Sequence, residues 1–364
     1  MKILFLVNHL NVGGITSYIL ILTKGLVKEG FDVYVASSGG EKEEELKSYG
    51  LNFIRARLDT KSELSPRLWS CFGSLANFIR ENKIDIIHSQ SRTTQVLGYF
   101  LSKKTGAAHV MTGHGFFKPR FGRRLFPLWP KRIITVSLAV AEHFINDLGA
   151  RKDSLAVVSS GVDVQNFINN LTVQEKDNLR KKFNLTNGPI ISIIARLSPE
   201  KGHSYLIEAF AEIILDFKDA RLLIVGEGRE EENILRLVKK LQLSKQVIFL
   251  PTVASTKEIL MITDIFVLPS LKEGLGLSLM EAEAAGCAVI GTAVGGIICL
   301  INDGVNGLLV PPADSKELAK AIKRLAGDPA LRVGLGAQAV KYMLEKFSLE
   351  KMVKETSKIY LECV

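Results

Sequence analysis

Glu273 and Glu281 stand eight residues apart within residues 268–294. The first lies in Lys-Glu-Gly-Leu-Gly, 272–276, where two glycines allow a tight turn. The second falls on the second turn of a helix predicted over 277–286, between strands predicted over 265–269 and 288–292. A spacing a little over two helical turns lets both carboxylates face one crevice at the helix start. A helix N-terminus carries free N–H donors and positive dipole charge, a seat for an anion. Glu281 could accept hydrogen bonds from a ribose diol, as acidic residues do in dinucleotide folds. The amides of Gly274, Leu275, Gly276 and Leu277, with the Glu273 carboxylate, could hold a sugar's hydroxyls. A strand–turn–helix unit with two solvated glutamates accounts equally for this stretch taken alone.

Other loops carry matching chemistry. Arg196 and Lys201 lie in Arg-Leu-Ser-Pro-Glu-Lys-Gly, 196–202, and would suit a diphosphate. Arginine offers a forked pair of donors and lysine a point charge; taken singly, each is also an ordinary surface cation. His114 sits between Gly113 and Gly115 just after a predicted strand, which favours a site over a structural histidine. Gly13 and Gly14 follow the first strand and leave backbone N–H groups open to a ligand. The remaining histidines show no metal-ligand spacing. No Asp-x-Asp occurs to bridge a metal and a nucleotide diphosphate.

These groups need an alternating scaffold, and the chain supplies one. Strands are predicted over 2–7, 31–36, 85–88, 107–112, 132–136 and 155–158, with helices over 16–28, 67–81, 92–103 and 138–148. A second series has strands over 189–195, 222–226, 247–250, 265–269, 288–292 and 307–310. It closes with helices over 315–326, 329–346 and 349–361. Such alternation implies βαβ units and parallel sheets. The expected fold class is α/β: two doubly wound, Rossmann-like domains facing a central cleft. They divide as 1–165, a polar linker 166–188 with a short helix at best, 189–347, and a final helical segment 348–364. Ligands of such sheets bind outside the carboxyl ends of the strands, where all the groups above fall.

Composition narrows the class. With 364 residues and 47% hydrophobic content the chain can fill two cores. The first ten residues are interrupted by Asn8-His9 and do not read as a signal peptide. No apolar run reaches membrane-spanning length. Four scattered cysteines lack a Cys-x-x-Cys pair, so neither a disulfide framework nor a structural zinc is expected, and the expected compartment is the cytoplasm. Charge is uneven: residues 1–170 hold 22 Lys and Arg against 14 Asp and Glu, while the remainder holds 25 against 24. The first half therefore expects an anionic partner. Residues 116–132 concentrate six cations with Phe116, Phe117, Phe121, Phe126 and Trp129 and no acid. That mixture suits peripheral contact with an anionic membrane, at the inner face of the cytoplasmic membrane. A loop packing its aromatics into the core is the plain alternative, and no recognition module supports nucleic acid.

The residues carry a family resemblance. Glu-Gly-Leu-Gly-Leu-Ser-Leu-Met-Glu at 273–281 resembles the Glu-x7-Glu signature of glycosyltransferase family 4, retaining enzymes of the GT-B fold. Asn11–Gly14 is similar to that family's first glycine loop, and Thr-Gly-His-Gly-Phe at 112–116 to its strand-end histidine motif. Ser-Ser-Gly-Val-Asp at 159–163, Ala-Arg-Leu-Ser-Pro-Glu-Lys-Gly at 195–202 and Asn-Asp-Gly-Val-Asn-Gly-Leu-Leu-Val at 302–310 complete the order. The resemblance spans nearly the whole chain.

It implies a nucleotide-sugar donor held by the C-terminal domain, an acceptor bound mainly by the N-terminal one, and a last helix crossing back to the first domain. It implies no bound cofactor and no required metal. By that resemblance Glu281 holds the ribose and Glu273 the sugar hydroxyls. Arg196 and Lys201 neutralise the departing diphosphate, Gly13 and Gly14 close over it, and His114 touches the transferred sugar. The expected enzyme is a retaining hexosyltransferase using a UDP-sugar ahead of a GDP-sugar. Its acceptor is a glycan or lipid-linked glycan of cell-envelope lipopolysaccharide or polysaccharide synthesis. One departure stands out: Ile298-Cys299 occupy the place of the family's usual Pro-Glu after Gly295-Gly296, which could loosen that loop or alter donor preference. A sugar-nucleotide epimerase or phosphorylase, or a non-catalytic carbohydrate- or lipid-binding relative, is the alternative.

Overall fold

The computed structural model describes residues 1–118, 126–168, 172–183, 185 and 188–364. Two compact units result: Met1–Gly161 together with Leu349–Val364, and Val162–Ser348.

The first unit is a seven-stranded parallel sheet ordered β3-β2-β1-β4-β5-β6-β7. Its strands are β1 (Lys2–Leu6), β2 (Asp32–Ser37), β3 (Asn52–Arg55), β4 (Ile86–Ser89), β5 (Ala108–Gly113), β6 (Arg132–Thr135) and β7 (Leu155–Val157). Ile3, Leu4, Phe5 and Leu6 are wholly buried, as a central parallel strand covered on both faces requires. Strand β3 and the helix Glu43–Ser48 were not among the predicted elements. Both are short, and neither shows a run of apolar residues. The helix predicted over 67–81 is two, Pro66–Ser70 and Phe72–Glu81, meeting at Cys71. There the Cys71 Sγ accepts from the Arg57 amide at 3.1 Å and ties the junction to the chain leaving β3.

The helix Leu349–Leu361 belongs to this unit. It lies so close to the helix Gly14–Lys28 that a Cβ on Gly25 would sit 2.3 Å from Val353. Tyr360 Oη bonds His88 Nδ1 at 2.6 Å beneath β4, and Lys131 Nζ donates to the Cys363 carbonyl at 2.7 Å. The Gly161 amide approaches Met352 Sδ at 3.0 Å.

The second unit is a six-stranded parallel sheet ordered β10-β9-β8-β11-β12-β13. Its strands are β8 (Ile190–Ile194), β9 (Arg221–Val225), β10 (Val247–Leu250), β11 (Ile265–Leu268), β12 (Ala288–Thr292) and β13 (Leu308–Val310). The core joins Ile191, Ile193, Leu222, Ile224, Val267 and Ile290 from the sheet to Leu206, Phe210 and Ile322 from the covering helices. Within the stretch expected as a linker, the helix Val173–Lys182 opens on a capping box of Thr172 and Glu175 and packs on the helix Lys257–Ile262. Lys182 pairs with Glu258 at 2.6 Å and Arg180 with Asp264 at 3.1 Å. The middle of the basic segment expected at a membrane, residues 119–125 with Arg120, Phe121, Arg123 and Arg124, lies outside the described residues. Among the described residues no helix is long and apolar enough to cross a membrane.

The Tyr360 anchor yields a stability prediction. Tyr360→Phe strips the hydroxyl from His88, which is wholly buried. Leaving a buried ring nitrogen unpaired is expected to cost about 1–3 kcal/mol, read as a lower urea midpoint with an unchanged slope.

Candidate active site

In the second unit, loops following β8, β11 and β12 meet through backbone close approaches. Gly202, at φ +68°, ends the 196–202 loop, and a Cβ there would lie 2.0 Å from the Pro269 carbonyl oxygen. Only glycine permits that approach. The Leu271 amide donates to the Glu200 carbonyl at 2.8 Å and fastens the two loops. From the third side comes Gly295, at φ +51°, where a Cβ would stand 1.9 Å from the Glu273 carbonyl oxygen. The Gly296 amide donates to that same oxygen at 3.1 Å.

These approaches set the charges. Lys201 Nζ donates to Glu273 Oε2 at 2.5 Å, and Ser270 Oγ donates to the same carboxylate oxygen at 3.1 Å. Thr292 Oγ1 holds the Ser270 carbonyl at 2.5 Å. Arg196 is exposed at the start of its loop. Gly274, Leu275 and Gly276 are buried, and Gly276 caps the helix Leu277–Ala284 in a left-handed conformation with no side-chain cap. In the first turn of that helix the Leu279 and Met280 amides donate to the Gly276 carbonyl at 3.0 and 3.1 Å, and the amides of Leu277 and Ser278 precede the first intrahelical bond.

Glu281 is partly buried on the same helix and accepts from Thr256 Oγ1 at 2.8 Å. Burial pushes its carboxyl up to about 7, against the lowering effect of the threonine. Glu283, wholly buried, is driven well above the usual carboxylate range by burial and bonds Asn306 Nδ2 at 2.9 Å. Glu273 and Glu281 thus face different partners: a cation and a serine for one, a threonine for the other. Among the described residues no group of three or more His, Cys, Asp or Glu is placed to hold a metal ion.

In the first unit, Gly13 and Gly14 are exposed at the head of the helix Gly14–Lys28. The neighbouring Val12 amide donates to Glu41 Oε2 at 2.9 Å. His114 follows β5 and directs Nε2 at Gln90 Oε1, 2.8 Å away, the residue that follows β4. Its ring meets Tyr18 edge-on at 4.6 Å. Tyr18 Oη bonds Thr112 Oγ1 at 3.2 Å, and Thr112 Oγ1 bonds His88 Nε2 at 2.8 Å. Burial pushes the His114 imidazole down to about 3 and His88 lower than the usual histidine range, so both rings are neutral at pH 7. What this arrangement offers is neutral hydrogen bonding.

Residues 12–166 match the model of Glycosyltransferase Family 4, and residues 175–342 that of Glycosyl transferases group 1. The chain is a family 4, group 1 glycosyltransferase. An uncharacterised glycosyltransferase of Methanocaldococcus jannaschii is 28% identical over 96% of this chain and 94% of its own. The UDP-Gal:alpha-D-GlcNAc-diphosphoundecaprenol alpha-1,3-galactosyltransferase of Escherichia coli is 27% identical over 80% of this chain and 79% of its own. Among solved structures, an Anabaena protein in complex with UDP and glucose superposes with a TM-score of 0.87 at 21% identity, covering 100% of both chains. The two parallel-sheet units of this glycosyltransferase are those of the GT-B fold.

Lys201 and Glu273 are brought into direct contact, and Glu281 shares the helix that Gly276 caps. Sequence reasoning missed Ser270, Thr256 and Gln90. Gln90 and Ser270 stand within two residues of a strand's carboxyl end, a position that flags them; Thr256 carries no such mark.

The raised Glu281 carboxyl fixes the sign of a pH effect. Between about pH 4.5 and about 7 the folded glycosyltransferase keeps this proton while the unfolded chain has released it. Stability therefore falls as pH rises through that window and levels above it. Glu281→Gln should flatten the fall, so that the variant gains thermal midpoint on the wild type at pH 7.5 relative to pH 5.

Proposed function

We propose that this glycosyltransferase is a retaining hexosyltransferase that moves a sugar from a UDP-sugar to a glycan or lipid-linked acceptor in cell-envelope lipopolysaccharide or polysaccharide synthesis. The observation that carries the reading is the Lys201–Glu273 pair, a cation and a carboxylate 2.5 Å apart on two adjoining strand-end loops. A nucleotide sugar presents complementary groups: an anionic diphosphate and a polyol. The E. coli relative, named for a UDP-Gal donor and a lipid-diphosphate acceptor, and the UDP and glucose of the Anabaena complex favour uridine over guanosine.

In this reading Glu281 takes the ribose diol, with Thr256 orienting its carboxylate. Lys201 and Arg196 meet the diphosphate without a metal, and Glu273 with the amides of Gly274, Leu275, Gly276 and Leu277 holds the sugar hydroxyls. Gly13, Gly14 and His114 keep the roles that the family resemblance implies. The bond from the anomeric carbon to the phosphate oxygen breaks, and the bond to the acceptor oxygen forms on the same face. The acceptor's proton goes to the departing phosphate, whose charge the two cations stabilise. Glu273 and Glu281 are engaged with hydroxyls, which leaves neither to act as a base for inversion.

Arg196→Ala and Lys201→Ala should each remove a charge-assisted bond worth about 1.5–3 kcal/mol. The loss should fall on kcat at least as much as on KM, because charge builds on the leaving group in the transition state. Steady-state release of UDP from a panel of UDP-sugars measures this, and unchanged turnover in both variants moves the donor site elsewhere. Proton NMR of a fresh reaction should show the donor's anomeric configuration in the product. An inverted anomer refutes the mechanism.

Residues 116–132 give the acceptor reading its membrane arm, resting on their cations and aromatic rings. The protein should sediment with anionic vesicles and be released by high salt. Joint neutralisation of Arg120, Arg123 and Arg124 should abolish sedimentation; binding that survives both treatments removes the electrostatic component.

A further inference from the structure

Gln90 is 2% exposed and stands directly after β4. Its backbone is settled, since its amide donates to Thr94 Oγ1 at 3.2 Å and Ser91 caps the following helix. The side chain is less comfortable. Oε1 takes the His114 Nε2 proton at 2.8 Å, while the buried Nε2 finds no acceptor among the described residues. A buried carboxamide with an unsatisfied NH2 group costs stability that an apolar residue of the same shape would not. His114 is gripped on its other side as well. Tyr18 meets the ring edge-on and is itself held through Thr112 and His88 to Tyr360.

A neutral imidazole has one donor and one acceptor nitrogen, and the partner of one decides the other. With Nε2–H given to Gln90, Nδ1 carries the lone pair. We propose that Gln90 is a positioning residue for His114. Its Oε1 fixes the tautomer and ring orientation, so that His114 presents an acceptor and recognises a group that donates, a sugar hydroxyl rather than a phosphate oxygen. The proposal rests on the transferase reading for the identity of that group. The tautomer itself is independent of it.

Three measurements test this. Long-range proton–nitrogen NMR of histidine-labelled wild-type protein should show His114 protonated at Nε2 and bare at Nδ1; the opposite tautomer overturns the proposal. Gln90→Met should keep or raise the thermal midpoint while lowering kcat/KM for UDP release from UDP-glucose about tenfold, the scale of one lost hydrogen bond. A lower midpoint with unchanged kcat/KM would assign Gln90 to the fold alone and overturn it. In a His114→Phe background the same substitution should add nothing further, because Gln90 acts through the ring. A further loss there would place Gln90 on the substrate and overturn the positioning role. Wild-type protein that releases UDP from no UDP-sugar refutes the donor reading, and the NMR result still decides the role of Gln90.

Discussion

The contact between Lys201 and Glu273 is the constraint around which the second unit is arranged. The two residues are 72 apart in sequence and meet because β8 and β11 are neighbours. Both side chains are largely withdrawn from solvent, at 22% and 12% exposure. Their attraction is therefore less screened than a surface pair's, and their desolvation is also greater. Such a pair is better regarded as a device of position than of stability. It holds an ammonium group still; in the donor reading proposed above, that charge is oriented before a diphosphate arrives and needs no reorganisation during reaction. The glycines at 202 and 295 serve the same end, since a side chain at either would push the loops apart.

The first unit solves a different problem. Its polar interior is a chain of neutral groups, Tyr18, Thr112, His88 and Tyr360, in which burial keeps the histidine uncharged. A charged ring at that depth would need a counter-ion, and none of the ring's partners is charged. Neutral donors and acceptors discriminate hydroxyl from hydroxyl by geometry, whereas fixed charges attract any anion. A buried ion pair in one unit and a neutral hydrogen-bonded chain in the other is a difference that the uneven distribution of lysine and arginine does not reveal. The excess cations of residues 1–170 lie elsewhere than on this polar chain.

Much of the fold was legible because the buried parallel strands are nearly continuous apolar runs, as in Ile-Phe-Val-Leu at β11 and Ile-Ile-Ser-Ile-Ile at β8. β3 was not, since Asn-Phe-Ile-Arg at a sheet edge has neither length nor clear alternation. The loop groups announced themselves by glycine beside charge. Their partners did not. Thr256 precedes a short helix and shows no pattern, yet it bonds Glu281. Tyr360 reads as one more apolar position of a final helix, and only the fold brings it to His88, 272 residues earlier. The break at Cys71 was hidden because Phe72, Leu75, Ala76 and Ile79 continue a helical period across it. Periodicity reports which face is buried, not where a backbone turns.

That the helix Leu349–Leu361 belongs to the first unit bears on how the chain comes into being. A ribosome delivers the seven strands of the first sheet long before it delivers this helix. Until then the groove beside Gly25 stands open to water and His88 lacks its phenol. The second unit is a continuous segment and can close as soon as residue 348 emerges. The order of completion is therefore the reverse of the order of synthesis: the unit begun first is finished last. Until residues 349–361 are made, the nascent protein carries an incomplete first unit, and exposed apolar surface of that kind is prone to aggregate.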